Sequence, residues 1–171
     1  MSFQVIADFE TEIAKFFGSP YAVATDCCTH GVELCLRYQN IKSISVPRRT
    51  YLSVPFLANK LGIELKWKDE DWQDYYYLTD NIIDAAVLWK SNSYIPNTFM
   101  SISFQFRKHL SLGRGGIILT DNEQAAQDLK KMTKAALESL GRQFGIELDR
   151  RLTKDKLIKQ VKKAQKDAEK S

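Results

Sequence analysis

The stretch Thr25-Asp26-Cys27-Cys28-Thr29-His30-Gly31 comes directly after the apolar run Tyr21-Ala22-Val23-Ala24. If a helix opens there, its free backbone N–H groups and the Thr29 hydroxyl form a cup suited to a phosphate. Three other groups stand at comparable places, just after or within apolar runs. Tyr51 follows Ile44-Ser45-Val46, Asp84 is the carboxylate inside Ile82–Val87, and Lys108 follows Met100–Phe104 with Arg107 and His109 beside it. The flexible turn Gly113-Arg114-Gly115-Gly116 then leads into another apolar run.

A phosphate cup, an aromatic face, a carboxylate in apolar surroundings and a lysine together meet the needs of pyridoxal phosphate. Its aldehyde condenses with a lysine amine, its ring nitrogen needs a carboxylate partner to stay protonated, and its ring takes a stacking neighbour. Each residue alone has a plainer reading. Lys108 by itself is a surface lysine, Asp84 a strand-end cap and Tyr51 a core-packing residue. Cys27 and Cys28 read as small buried residues, since only a helix N-terminus is at hand to activate a thiol. His30 reads as a helix-start residue.

These groups must be placed by elements whose pattern alternates between two periods. Phe9, Ile13, Phe16 and Phe17 have helical spacing, stopped by Gly18-Ser19-Pro20. Helices are also predicted over 29–39 and 50–61. Strands are predicted at 21–24, 44–46, 63–67, 82–87, 100–106 and 116–120. Thr120 and Glu123 form a capping box for a further helix. The segment 68–80, KDEDWQDYYYLTD, has no clear period and reads as a surface connection with its tyrosines packed inward. Helices and strands in alternation predict an α/β fold with a mostly parallel sheet, in which ligands sit at the carboxyl ends of strands.

Composition narrows the classes. Apolar residues make up 44% of the 171 and aromatics 11%, enough for a core. The apolar runs are too short to cross a bilayer, and the acidic N-terminal stretch lacks the pattern of a signal peptide, so the expectation is a cytoplasmic protein without membrane contact. Three cysteines within residues 27–35 are a poor disulfide framework and lack metal spacing, so reduced thiols and no metal are expected. The net charge of +4 is uneven: residues 132–171 hold 11 basic and 6 acidic side chains, leaving the rest near neutral. That tail reads as two short helices joined by an extended link, with Thr153 as N-cap of the second. Lys154, Lys156, Lys159, Lys162, Lys163 and Lys166 on it are either a solvated face or a contact for a phosphate backbone.

The stretches FETEIAKFFGSPYAVATDCCTHGVELCLR, VPRRTYLSVPFLANKLGIEL, NIIDAA and SISFQFRKHLSLGRGGIILTDNE resemble the DegT/DnrJ/EryC1/StrS family of sugar aminotransferases, pyridoxal-phosphate enzymes of fold type I. The last is the most specific, for Ser103-Phe104, Lys108 and Gly113-Arg114-Gly115-Gly116 match the family's order and spacing. The resemblance implies a reduced PLP-transferase-type large domain over 1–131. It makes Lys108 the Schiff-base lysine, Asp84 the partner of the pyridine nitrogen and Tyr51 the stacking ring, with Cys28, Thr29 and Ser103 lining the phosphate. It also implies a nucleotide-sugar substrate, an amino donor and a homodimer. The sequence departs from the family at Ile83 and Val87, where polar residues are usual, and between Leu65 and Asp84, where several elements are reduced to about a dozen residues. The family's small domain has no counterpart, which implies an incomplete catalyst. Residues 132–171 resemble instead the helix-extended-helix modules related to SAP and LEM domains, often seen in phage proteins. That resemblance implies a second domain and, as the other reading, a non-enzymatic protein of host cytoplasm or virion that contacts nucleic acid or a virion protein through 132–171.

Overall fold

The computed structural model describes the backbone of residues 3–143 and the side chains of residues 4–133. In chain order the elements are α1 (Phe3–Phe17), β1 (Tyr21–Thr25), α2 (Cys28–Tyr38), β2 (Ser43–Pro47), α3 (Ser53–Leu61) and β3 (Glu64–Lys68). They continue with β4 (Tyr76–Tyr77), β5 (Ile82–Asp84), β6 (Phe99–Ser103), β7 (Gly116–Thr120) and α4 (Glu123–Gln143). The strands form a five-stranded sheet in the order β1-β7-β6-β5-β4 and a separate pair, β2-β3.

The fold is α/β, but the sheet is mixed rather than mostly parallel. β5–β6 and β2–β3 run parallel, while β1–β7, β6–β7 and β4–β5 run antiparallel. Apolar spacing reports which face of a strand is covered and carries no direction. Direction is set by the connections: β4 turns into β5 through four residues, too few for the crossover a parallel pair needs.

Period-2 alternation divides the sheet between two cores. Val23, Ile82, Phe99 and Ile118 face α2, α3 and α4, packing with Leu36, Val54, Leu57 and Leu129. Ala22, Ile83, Met100, Ile117 and Leu119 face the other way, onto Ile13 and Phe17 of α1. The second core is closed by aromatic contacts: Trp89 stacks on Phe16 at 4.7 Å and meets Phe17 edge-on at 5.5 Å. A sheet buried on both faces favours near-continuous apolar runs in its central strands, which explains the Ile-Ile-Leu of β7.

Three local readings change. The segment after β3 buries Tyr76 as expected but is not simply a surface connection: it forms β4, Leu78 is buried too, Ser45 N donates to Leu78 O, and the segment thus ties the β2–β3 pair to the main sheet. Helix α3 starts at Ser53, not 50. The cap of α4 is Asn122, whose Oδ1 accepts from Ala125 N at 2.9 Å, while Thr120 Oγ1 accepts from Asn122 N one step earlier. Helix α4 passes residue 132 without a break. Of the expected module of 132–171, residues 132–143 belong to α4, and the remainder, with Thr153 and the lysines Lys154 to Lys166, lies outside the described residues.

Candidate active site

A cavity of about 550 Å³ opens at the carboxyl ends of β1, β5 and β6, and all six residues singled out in the sequence line it: Cys28, Thr29, Tyr51, Asp84, Ser103 and Lys108. Its volume falls within the roughly 300–1,000 Å³ usual for small-molecule sites.

Two helix N-termini converge on one wall. Thr29 lies in the first turn of α2 and Ser53 is the first residue of α3. Their hydroxyls are 2.8 Å apart. Backbone donors and the positive ends of two helix dipoles therefore meet beside a pair of hydroxyls, which suits an anion. Ser53 escaped notice in the sequence; the signal for it was a serine opening the helical period after Tyr51. Ser103 stands at the cavity edge, its Oγ accepting from Gln105 N at 3.4 Å. Cys28 lines the cavity but sends its thiol away from the hydroxyl pair, donating to Ser101 O at 3.4 Å and toward Asp84 Oδ1 at 3.8 Å. Cys27 is the N-cap of α2, its sulfur accepting from His30 N.

The Gly-Arg-Gly-Gly turn makes this wall possible. Gly113 and Gly115 hold φ of +78° and +149°, which side chains disfavour. Gly116 meets a different demand: a Cβ there would lie 2.5 Å from Cys27 C and Cys28 N. The start of α2 rests on bare backbone of β7. Arg114 clamps the same junction from outside, donating to Asp26 Oδ2 at 2.9 Å, while Asp26 Oδ1 pairs with His30 Nδ1 at 2.5 Å. Burial would raise the Asp26 carboxyl, but His30 and Arg114 outweigh it and hold it at about 2.

Asp84 forms the floor. It ends β5, and its Oδ1 accepts from Ala86 N at 3.0 Å in an Asx turn, so the strand-end role is present alongside the cavity position. Only 6% of it is exposed. Its Oδ2 accepts from the Tyr76 hydroxyl at 2.6 Å. Burial raises the Asp84 carboxyl; the Tyr76 and Ala86 donors, the nearby Lys108 ammonium and the Cys28 thiol oppose this. Burial, then the charge of Asp84, likewise raises Cys28 well above the usual thiol value, so it stays a thiol.

Lys108 is carried in by the loop between β6 and β7. The loop is closed by Phe104 N to Gly115 O and Leu112 N to Phe104 O, both 3.0 Å, and Lys108 N donates to Gln105 O at 2.9 Å. Tyr51, 73% exposed, stands at the mouth with Phe106, 59% exposed. Tyr51 is therefore not a core-packing residue. Among the described residues no cluster of His, Cys, Asp and Glu could hold a metal ion, and no helix is long and apolar enough to cross a membrane.

Residues 2–96 match the profile of the DegT/DnrJ/EryC1/StrS aminotransferase family. No curated protein sequence matches the chain. Solved structures do. An aminotransferase from Psychrobacter cryohalolentis superposes with a TM-score of 0.62 at 18% identity over 85% of this chain and 49% of its own. DesI, solved in the presence of its TDP-sugar product, gives 0.60 at 16% identity, over 82% and 46%. GDP-4-keto-6-deoxymannose-3-dehydratase, with a trapped PLP-glutamate geminal diamine, gives 0.55 at 18% identity, over 72% and 46%. The chain thus spans about half the length of the structures it matches.

Proposed function

Because the chain belongs to the DegT/DnrJ/EryC1/StrS aminotransferase family, we propose that its cavity binds pyridoxal 5'-phosphate in the service of amino transfer to a nucleotide-linked sugar. The observation that carries this is convergence. A buried carboxylate, a lysine and two helix N-termini come from four separate stretches of chain and line one cavity. The residues fit the cofactor, since each polar part of it meets a complementary group. The Thr29 and Ser53 hydroxyls and the helix ends around them take the phosphate. Asp84 accepts from the ring N–H, Tyr51 covers the ring, and Lys108 Nζ is the point of covalent attachment. Bound there, the cofactor supplies an aldehyde and an electron-accepting ring. Lys108, once free, moves a proton at the amino donor's Cα.

Transfer to a sugar needs walls over the cavity mouth. Tyr51 and Phe106, which line it, are each more than half exposed, as are Leu52 and Phe56 in the stretch that follows Tyr51. This supports a homodimer in which a second copy closes the site. The neighbours that act on TDP- and GDP-linked sugars support the substrate class. A second function is proposed for residues 132–171, whose 11 basic against 6 acidic side chains suit contact with nucleic acid or an acidic virion protein.

The test is a titration of the full chain with pyridoxal phosphate, followed by borohydride reduction and mass spectrometry. Covalent label at Lys108, lost in Lys108→Ala, is the expected result. A chain that takes no label, or takes it equally at surface lysines, overturns the proposal.

A further inference from the structure

The floor of the cavity holds a hydrogen-bonded chain that the family pattern did not point to. Tyr76 is the direct cross-strand partner of Asp84 in the β4–β5 ladder. Directly opposed residues share a face of the sheet, and here the phenol reaches the carboxylate at 2.6 Å. Behind it, the Tyr76 oxygen lies 2.7 Å from Thr50 Oγ1. The ring is held in place: Tyr76 is 3% exposed, meets Trp72 edge-on at 4.9 Å, and Trp72 Nε1 donates to Arg49 O at 2.7 Å. Tyr76 and Trp72 both belong to the short acidic-aromatic segment after β3. That segment places a phenol where Ile83, turned into the opposite core, offers no polar group.

We propose that Tyr76, backed by Thr50, is a positioning residue that keeps Asp84 ionised at the cavity floor, so that the site selects a ligand presenting a cationic N–H. For the identity of that ligand the proposal rests on the cofactor reading above. The hydrogen-bond geometry around the carboxylate carries the argument. An ionised carboxylate only accepts, with about four lone-pair sites. Two are taken from inside the protein, by the Tyr76 hydroxyl and Ala86 N, and the Cys28 thiol, whose one proton goes chiefly to Ser101 O, stands 3.8 Å from Oδ1. The rest of the accepting capacity is left for the cavity that Asp84 lines. If Asp84 were protonated, its own O–H would have to turn Tyr76 from donor to acceptor, since the Ala86 N–H has no lone pair to offer. Tyr76 donates to Asp84, which leaves the phenol oxygen to accept from Thr50 Oγ1.

The titratable groups facing Asp84 are Tyr76 from β4, Cys28 from α2 and Lys108 from the loop after β6. Burial pushes Asp84 toward its neutral form, and the Tyr76 donor is the foremost opposing influence. Tyr76 itself stays a donor throughout the working range, because burial and the Asp84 charge both raise its phenol.

The test uses Tyr76→Phe and Thr50→Val in the full chain. The Asp84 side-chain carboxyl is followed by ¹³C NMR titration without any ligand, with circular dichroism to confirm folding. Removing the phenol should move the Asp84 midpoint upward, and removing the Thr50 hydroxyl should move it the same way by less. If Tyr76→Phe does not fold, Thr50→Val carries the same reading. Pyridoxal phosphate affinity near neutral pH should fall roughly tenfold or more in Tyr76→Phe, as befits a lost hydrogen bond to a charged group. Raising the pH should restore part of it. A melting loss with an unmoved Asp84 midpoint would show a packing role only and overturn the proposal. A midpoint that moves in a chain that takes up no pyridoxal phosphate would uphold Tyr76 and remove the cofactor reading instead.

Discussion

Gly116→Ala puts the junction between strand β7 and helix α2 under direct strain. The added Cβ would lie 2.5 Å from Cys27 C and from Cys28 N, and 2.8 Å from Cys27 O. Carbon atoms come to rest at roughly 3.5 Å, so something must move by about 1 Å. All three contacts are backbone, and no side chain can rotate away. Overpacking of this kind costs about 3 kcal/mol when backbone must yield. For a chain of this size that lowers Tm by roughly 6–12 °C. The displaced backbone is also the start of α2, where Thr29 pairs with Ser53, and a misplacement near 1 Å in a binding constellation costs up to ~100-fold. Gly62→Ala is the control: its φ is +63°, but nothing lies within 4 Å of the added carbon, so it carries only the backbone strain of about 1–2 kcal/mol and leaves the cavity alone. The assays are a thermal melt by circular dichroism and a pyridoxal phosphate titration. A Gly116→Ala chain that melts no lower than Gly62→Ala and binds like the parent would refute the argument.

Asp84→Asn should raise Tm near neutral pH while abolishing cofactor binding. The folded pKa of Asp84 lies above the unfolded value, so its contribution to stability is full below pH ~4 and lost as pH rises through the folded value. The Asn variant should therefore gain most at neutral pH and nothing in acid; melts across pH decide this. Glu33 has the opposite sign. Burial raises its carboxyl, but Lys60 Nζ at 2.6 Å and Arg37 NH2 at 2.8 Å prevail and lower it. Its contribution is present above pH ~4.3 and fades as pH falls through the folded value, so Glu33→Gln should destabilise at pH 7 and converge with the parent in acid. Phe17→Ala empties a fully buried site against Phe16 and Trp89 and should cost about 3–5 kcal/mol, read by urea melts. Retention on DNA should fall steeply with added salt and disappear on deleting 132–171; retention that survives the deletion would remove the proposed tail function.

The sequence made most of the element pattern legible, because burial leaves a period. Phe9, Ile13, Phe16 and Phe17 gave α1, and Tyr21–Ala24 gave β1 within one residue of its end. Lys108, Asp84 and Thr29 could be singled out because each follows or interrupts an apolar run, and the turn at Gly113–Gly116 tied them to a family. Strand direction was not legible, since it depends on connection length and not on face. Nor was the true cap of α4, because Thr120 and Asn122 are both competent and only the helix's starting angle chooses between them.

The residues of the anion wall and the cavity floor show the same division. That hydroxyls at a helix start, a carboxylate and a lysine stand at the ends of apolar runs was determined by residue type and spacing alone. That they face one another was decided by a sheet whose β1, β5 and β6 end at a common edge. Tyr76 lay in a segment with no period, and nothing local marks it as different from Tyr75 or Tyr77. Pairing across the β4–β5 ladder alone set its hydroxyl against Asp84. Such a contact depends on register between strands, a property of two segments at once that neither sequence carries by itself.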